Sequence, residues 1–254
     1  MSGGHLHALH VHGHSPVHRM APEAKVGAML AFVIGVVATP REAMWAFGIH
    51  AFLLLAVVVF AELPIGFVLR RMTIELPFVA FAVFLPFLGG GPEIDVLGLS
   101  LSREGLWGAW NILAKATLGV GASVTLVATT EIPDLLHGLD RLRVPKLFTA
   151  IAGFMVRYVD VIAGELQRTR TAMTARGHDP RWLWQAAPLA TAAGALFVRS
   201  YERGERVHQA MVARGYEGRM PMIDERRATG VEWLSAMALP ATAWMTVLLV
   251  LVTP

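Results

Sequence analysis

The chain has 254 residues, of which 55% are hydrophobic and 16% charged, with mean hydropathy +0.52; a soluble domain carries about 25% charged residues. This excludes a disordered chain and argues against an ordinary soluble enzyme, and the lack of cysteine removes disulfide scaffolds, zinc ribbons and thiol catalysis together. A pI near 9.7 on a net charge of only +3 makes the placement of the charges more informative than their sum.

Residues 1–20 form a polar tail with six histidines before residue 19. No apolar core follows a basic start, so the tail does not read as a signal peptide. Imidazoles at this density bind nickel, copper, cobalt or zinc weakly. His5, His7, His10, His12 and His14 are the candidate weak ligands, with His18 beyond them. Two readings stand side by side: a metal-collecting tail, or a mobile polar tail with incidental affinity.

Apolar stretches follow at 26–38, 43–61, 72–88, 105–130 and 233–252. A spanning helix needs roughly 17–25 such residues. The first stretch reaches that by extending to Pro22 and Pro40. The third has Glu75 and Pro77 near its start, which places that polar end at the interface. Gly89-Gly90-Gly91-Pro92 opens an outer loop running to Arg103. The expected fold is therefore all-α and polytopic, with about five transmembrane helices, four of them in 21–130 and the last in 228–254. Glu75 and Lys115 are ionisable groups in or near these spans; they read either as functional groups or as interhelical polar contacts. His50 reads as a core histidine. The spans offer too few convergent ligands to hold a transported metal.

Basic residues concentrate in cytoplasmic loops. With the N-terminus inside, 19 lysines and arginines fall on the cytoplasmic side; only Arg41 and Arg103 fall outside, and Lys115 lies within a span. The expected orientation is N-terminus cytoplasmic and C-terminus outside, in a cell inner membrane. Residues 141–227 alone hold 15 basic and 8 acidic residues, and 131–227 reads as a cytoplasmic helical domain. A short amphipathic stretch at 132–142 opens it. A long helix starting at Pro145 follows, with Leu147, Ile151, Phe154, Tyr158 and Val161 on one face. A second starts at Pro188 and carries Leu189, Ala193, Leu196, Val207 and Met211.

Both long helices end in the same pattern: Ala172-Met173-Thr174-Ala175-Arg176-Gly177 recurs 38 residues later as Ala210-Met211-Val212-Ala213-Arg214-Gly215. Arginine in a last turn and glycine just beyond it are ordinary helix-ending chemistry. The recurrence asks for more. Two arginines at helix ends are two rigid donor forks suited to carboxylates, and they predict a partner with two similar acceptor sites.

With these motifs the chain resembles the transmembrane (T) component of energy-coupling factor (ECF) transporters, cobalt type. The resemblance rests on His18-Arg19-Met20-Ala21-Pro22-Glu23-Ala24-Lys25, Thr129-Thr130, Leu142-Arg143-Val144-Pro145, Arg157-Tyr158, Glu165 and the two Ala-Arg-Gly motifs. It implies that Ala175, Arg176, Gly177, Ala213, Arg214 and Gly215 dock into two ATP-binding cassette subunits. Pro145, Arg157, Glu165, Met173 and Met211 would support the coupling helices. A separate substrate-binding (S) membrane subunit would complete the complex. No cofactor is expected in this chain, since ATP would be bound by the partners, and no nucleic acid is expected. The sequence lacks a Gly-x-x-x-x-Gly-Lys-Ser/Thr loop, a His-Glu-x-x-His motif and a Gly-x-Ser-x-Gly elbow, so a non-catalytic subunit is expected. The substrate could instead be nickel or a vitamin. The rival classes are a self-sufficient metal carrier and an uncharacterised membrane enzyme.

Overall fold

The computed structural model describes residues 11, 13, 15–90, 92–96, 99–178, 187–218 and 227–252. It is helical apart from one hairpin. In chain order the elements are α1 (Pro16–Arg19), α2 (Pro22–Ala38), α3 (Met44–Phe60), α4 (Ile65–Arg71), a 3-10 turn (Met72–Glu75) and α5 (Leu76–Leu88). Then come β1 (Glu93–Val96), β2 (Leu99–Ser102), α6 (Arg103–Thr129), α7 (Ile132–Arg141), α8 (Lys146–Ala175), α9 (Ala187–Val212) and α10 (Gly230–Val252). Four described helical segments are long and apolar enough to cross a membrane: Ile65–Leu88, Arg103–Thr129, Lys146–Ala175 and Gly230–Val252. The helix Met44–Phe60 is shorter and equally apolar. This is the helical, multi-pass architecture expected from composition.

The chain divides into two compact units, one built on α8 and α9 and the other on α1–α7, the hairpin and α10. In the larger unit α2 packs against α10, α7 and α6, while α5 packs along α6 and α3 against α6 and α10. Apart from the amphipathic α7, the packed helices, α2, α3, α5 and α10 above all, are apolar nearly all round, so hydrophobicity does little to select their packed face. Residue size does more. Ala24, Ala46, Ala122, Ala128 and Ala243 are buried, whereas Phe52, Phe60, Phe84 and Leu88 are exposed. Small residues let helix backbones approach in an apolar solvent, many large ones face outward, and a few large side chains fill the space between the helices. One core cluster gathers Phe32, Val36, Phe47, Leu54, Leu118 and Ala243.

Three expectations need adjustment. The helical run containing Glu75 begins at Ile65 rather than near 72, ahead of Arg70 and Arg71, so Glu75 lies at an internal 3-10 kink. Pro77 sits in the first turn of α5, where its missing N–H breaks no helical bond. The outer loop contains an antiparallel hairpin, with Ile94 opposite Leu101 and Asp95 opposite Ser100. Ser102 closes it and caps α6, its Oγ accepting from the Gly105 N–H at 3.1 Å. Pro145 is the residue before α8 rather than its first turn, a one-position difference within ordinary helix fraying. On the α2–α3 connection Arg41 donates to Glu42 (2.9 Å) and to Glu104 (3.0 Å) of α6. Its hydrogen bond holds the Glu42 carboxyl below the usual carboxylate range.

The chain passes from one unit to the other at Arg143, whose φ is +64°. A left-handed residue just past a helix C-cap ends the helix and is normally glycine; in a residue with a side chain it costs roughly 1–2 kcal/mol. Val144, preceding a proline, is held extended. Arg143→Gly is therefore expected to raise the melting temperature of the purified chain, and Arg143→Val to lower it. The reverse order would show that the turn is not held left-handed.

Candidate functional site

The two Ala-Arg-Gly motifs fold into the same cap. At the end of α8 the Arg176 and His178 N–H groups both donate to the Met173 carbonyl (3.0 Å each), and Gly177 N–H donates to Thr174 (2.9 Å). At the end of α9 Arg214 and Tyr216 donate to the Met211 carbonyl (3.0 Å each), and Gly215 donates to Val212 (3.0 Å). This crossed pair of bonds is the Schellman arrangement, which satisfies the last carbonyls of a helix and requires a left-handed residue. Gly177 has φ +80° and Gly215 φ +83°. Among the described residues no atom lies within 4 Å of a Cβ built at either glycine, so there the backbone conformation rather than crowding selects glycine. The methionine of each motif is the residue whose carbonyl takes two bonds, and both methionines are half-buried.

The cap leaves Ala175, Arg176, Ala213 and Arg214 exposed. Among the described residues neither guanidinium has a side-chain partner. A helix C-terminus favours cations, and each fork is free to take a carboxylate bidentately. Of the supporting residues, Arg157 is exposed on α8, and Glu165 is half-buried and accepts a charge-assisted hydrogen bond from Arg203 Nη2 of α9. Sequence reasoning missed Arg203. The signal was present, since Arg203 follows Glu165 by 38 residues, the same offset as the motif.

The segment His18–Lys25, quoted above only for its likeness to a family, builds a clamp in the larger unit. Pro22 and Glu23 start α2. Both Glu23 oxygens accept from Arg141 Nη1 of α7 (3.2 and 3.1 Å), and Oε1 also accepts from the Ala228 N–H just before α10 (2.6 Å). Gly138 eases this: a Cβ there would stand 3.0 Å from the Pro22 carbonyl carbon and 3.1 Å from the Glu23 nitrogen, so a side chain would push α7 and the start of α2 apart by a few tenths of an ångström. Lys25 is buried and donates to the carbonyls of Thr129 (2.8 Å) at the end of α6 and His18 (3.2 Å). His18 engages both ring nitrogens, Nδ1 with Ser15 Oγ (2.7 Å) and Nε2 with the Val11 carbonyl (3.0 Å). One glutamate and one lysine thus tie together the ends of α2, α6, α7 and α10.

The other polar candidates in the spans are interhelical contacts. Lys115 donates to the Val37 carbonyl (2.8 Å) at the C-terminal end of α2, where carbonyls lack helical partners. Glu75 is buried and accepts from Thr117 Oγ1 (2.6 Å). His50 is fully buried between the rings of Phe32 and Phe47, with Nε2 2.9 Å from Thr246 Oγ1 of α10. Thr246 Oγ1 itself donates to the Ala243 carbonyl at 2.7 Å, which leaves its lone pairs available to a proton on His50 Nε2. No group of three potential metal ligands occurs among the described residues. His5, His7, His10, His12 and His14 lie outside the described residues.

The family model for CbiQ, cobalt transport protein, matches residues 13–223, a stretch that includes the clamp residues Glu23, Lys25 and Arg141 and both caps. The chain is 30% identical over 195 residues to the putative fused cobalt transport protein CbiMQ of Methanocorpusculum labreanum, covering 72% of this chain and 32% of that protein. It is 30% identical over 169 residues to the cobalt transport protein CbiQ of Rhodobacter capsulatus, covering 66% and 67%. It is 26% identical over 223 residues to the energy-coupling factor transporter transmembrane protein EcfT of Bacillus selenitireducens, covering 82% of each. The match thus spans about a third of the fused relative and most of the EcfT protein. With its helical multi-pass fold and this match over most of its length, the chain belongs to the CbiQ/EcfT family, the non-catalytic transmembrane components of energy-coupling factor transporters.

Proposed function

We propose that this chain is the coupling subunit of an ATP-driven cobalt importer, docking two ATPase subunits through Arg176 and Arg214 and passing their movement to a substrate-binding membrane subunit. The observation that carries this is the pair of identically bonded caps whose exposed arginines have no side-chain partner among the described residues. Cobalt rests on the names of the two relatives that share 30% identity. In this reading residues 143–225 lie on the cytoplasmic side with the N-terminus, α8 included although it is apolar enough to cross a membrane, and the C-terminus is outside, the arrangement that the positive-inside count of 19 against two favours. ATP binding draws the two ATPase subunits together. Helices α8 and α9 then move as rigid levers, because packed helices shift as units rather than deforming continuously. Pro145 leads into the lever α8 and Arg157 lies on it, and Met173 and Met211 anchor the caps. ATP is held by the partners.

The test is the double reversal Arg176→Glu with Arg214→Glu in the assembled transporter. Loss of ATPase from the purified complex is expected, with cobalt uptake falling to background. A complex that keeps its full ATPase and transports normally would sink the docking assignment.

A further inference from the structure

Glu165 and Arg203 pair across the two long helices. Their separation along the chain is 38 residues, the same as that between the Ala-Met-x-Ala-Arg-Gly copies. Each therefore stands 11 residues before the arginine of its own cap, Glu165 before Arg176 and Arg203 before Arg214. Eleven helical residues are three turns, about 16 Å of rise with about 20° of residual rotation. The stretches beyond the ion pair thus have one length and one angular relation between pair and cap. The motif does not force this: α8 has 30 residues and α9 has 26, and contact could have fallen anywhere along them. Nor is it a copied residue, since the paired positions carry opposite charges. Arg168 and Arg206, both exposed, repeat the match three residues beyond the pair.

We infer that the Glu165–Arg203 ion pair is a pivot that sets two equal arms, so that Arg176 and Arg214 are offered in equivalent positions to a partner with two like sites. The inference rests on the docking role of the caps. Glu165 and Arg203 are positioning residues that touch no partner. A charge pair suits the task because a slip of one residue on either helix turns it by about 100° and breaks the contact. Apolar contacts would tolerate such a slip. An ionic contact selects one register, the best-attested use of such pairs.

Two measurements on the assembled transporter test it. In the first, Glu165→Arg and Arg203→Glu singly lower cobalt uptake about tenfold, and the combined swap restores most of it, as directly coupled residues do. In the second, two helical turns (about seven residues, ~10 Å) are inserted between Arg170 and Thr171, between His208 and Gln209, or at both places. Lengthening one arm is expected to cost the complex about half its ATPase, and lengthening both to restore it to near the parent level. A merely structural ion pair would not produce that recovery. If the swap is no better than the single reversals, or one-arm and two-arm insertions behave alike, the pivot is wrong. If reversing Arg176 and Arg214 together fails to release the ATPase, the docking reading fails first. If it releases the ATPase while the arm insertions are without effect, the pivot alone fails.

Discussion

Glu23→Ala is expected to destabilise the membrane body by about 3–5 kcal/mol, the penalty for breaking one side of a buried ion pair. The carboxylate side chain is 6% exposed and its partner Arg141 14%. Removing it leaves a guanidinium with little access to water and takes away the acceptor of the Ala228 N–H. Its position adds to the loss, because an acidic group in the first turn of α2 also complements that helix end. In a chain of this size the loss corresponds to a fall of about 10 °C or more in thermal unfolding, read by tryptophan fluorescence in detergent. Glu23→Gln keeps the shape and one acceptor oxygen, and falls between. Glu23→Ala combined with Arg141→Ala is expected to be milder than the sum of the two, as for directly coupled residues. A melting temperature for Glu23→Ala within a degree or so of the parent would show that the clamp carries no weight.

This clamp marks where reading the sequence stops. The spans were legible because long apolar runs have few alternatives in a chain with so little charge. The caps were legible because Arg-Gly after an apolar helix has a local mechanism. Glu23 acts through Arg141, 118 residues away, and Ala228, 205 away, and nothing local announces either. The segment at 132–142 reads as the amphipathic opening of the basic domain; its packing as α7 on α2, where Gly138 leaves room for the close approach, is announced by nothing local. The start of the third apolar run was set too late because Arg70 and Arg71 read as a loop; in the structure they end α4 and the helix resumes after a single 3-10 turn. The hairpin at 93–102 was missed because two four-residue strands give too short an alternation to stand out. Arg203 was within reach. The repeat was read only at its helix ends, and carrying the 38-residue offset back along both helices would have paired it with Glu165.

Single reversals separate two ways in which the caps could hold a partner. If Arg176 and Arg214 each seat one ATPase subunit, Arg176→Glu alone is expected to leave the α9 cap able to dock, so that purified complexes keep about half their ATPase. If both caps instead engage one subunit, the second contact acts as an intramolecular one, and losing either forfeits roughly 10²–10⁴ in avidity. The first outcome is expected here, because the arms end in equivalent caps and equivalent caps suit equivalent subunits. Glutamate is the right substitution. It turns an attraction for an acceptor carboxylate into a repulsion while leaving the cap bonds, which are all backbone, in place. Gly177→Ala tests the other half of the motif. It keeps the charge but forces a side chain into φ +80°, at roughly 1–2 kcal/mol, and is expected to fray the cap and weaken docking less than the charge reversal does. Should Gly177→Ala release the ATPase as completely as Arg176→Glu, the shape of the cap rather than the arginine fork would be what the partner reads.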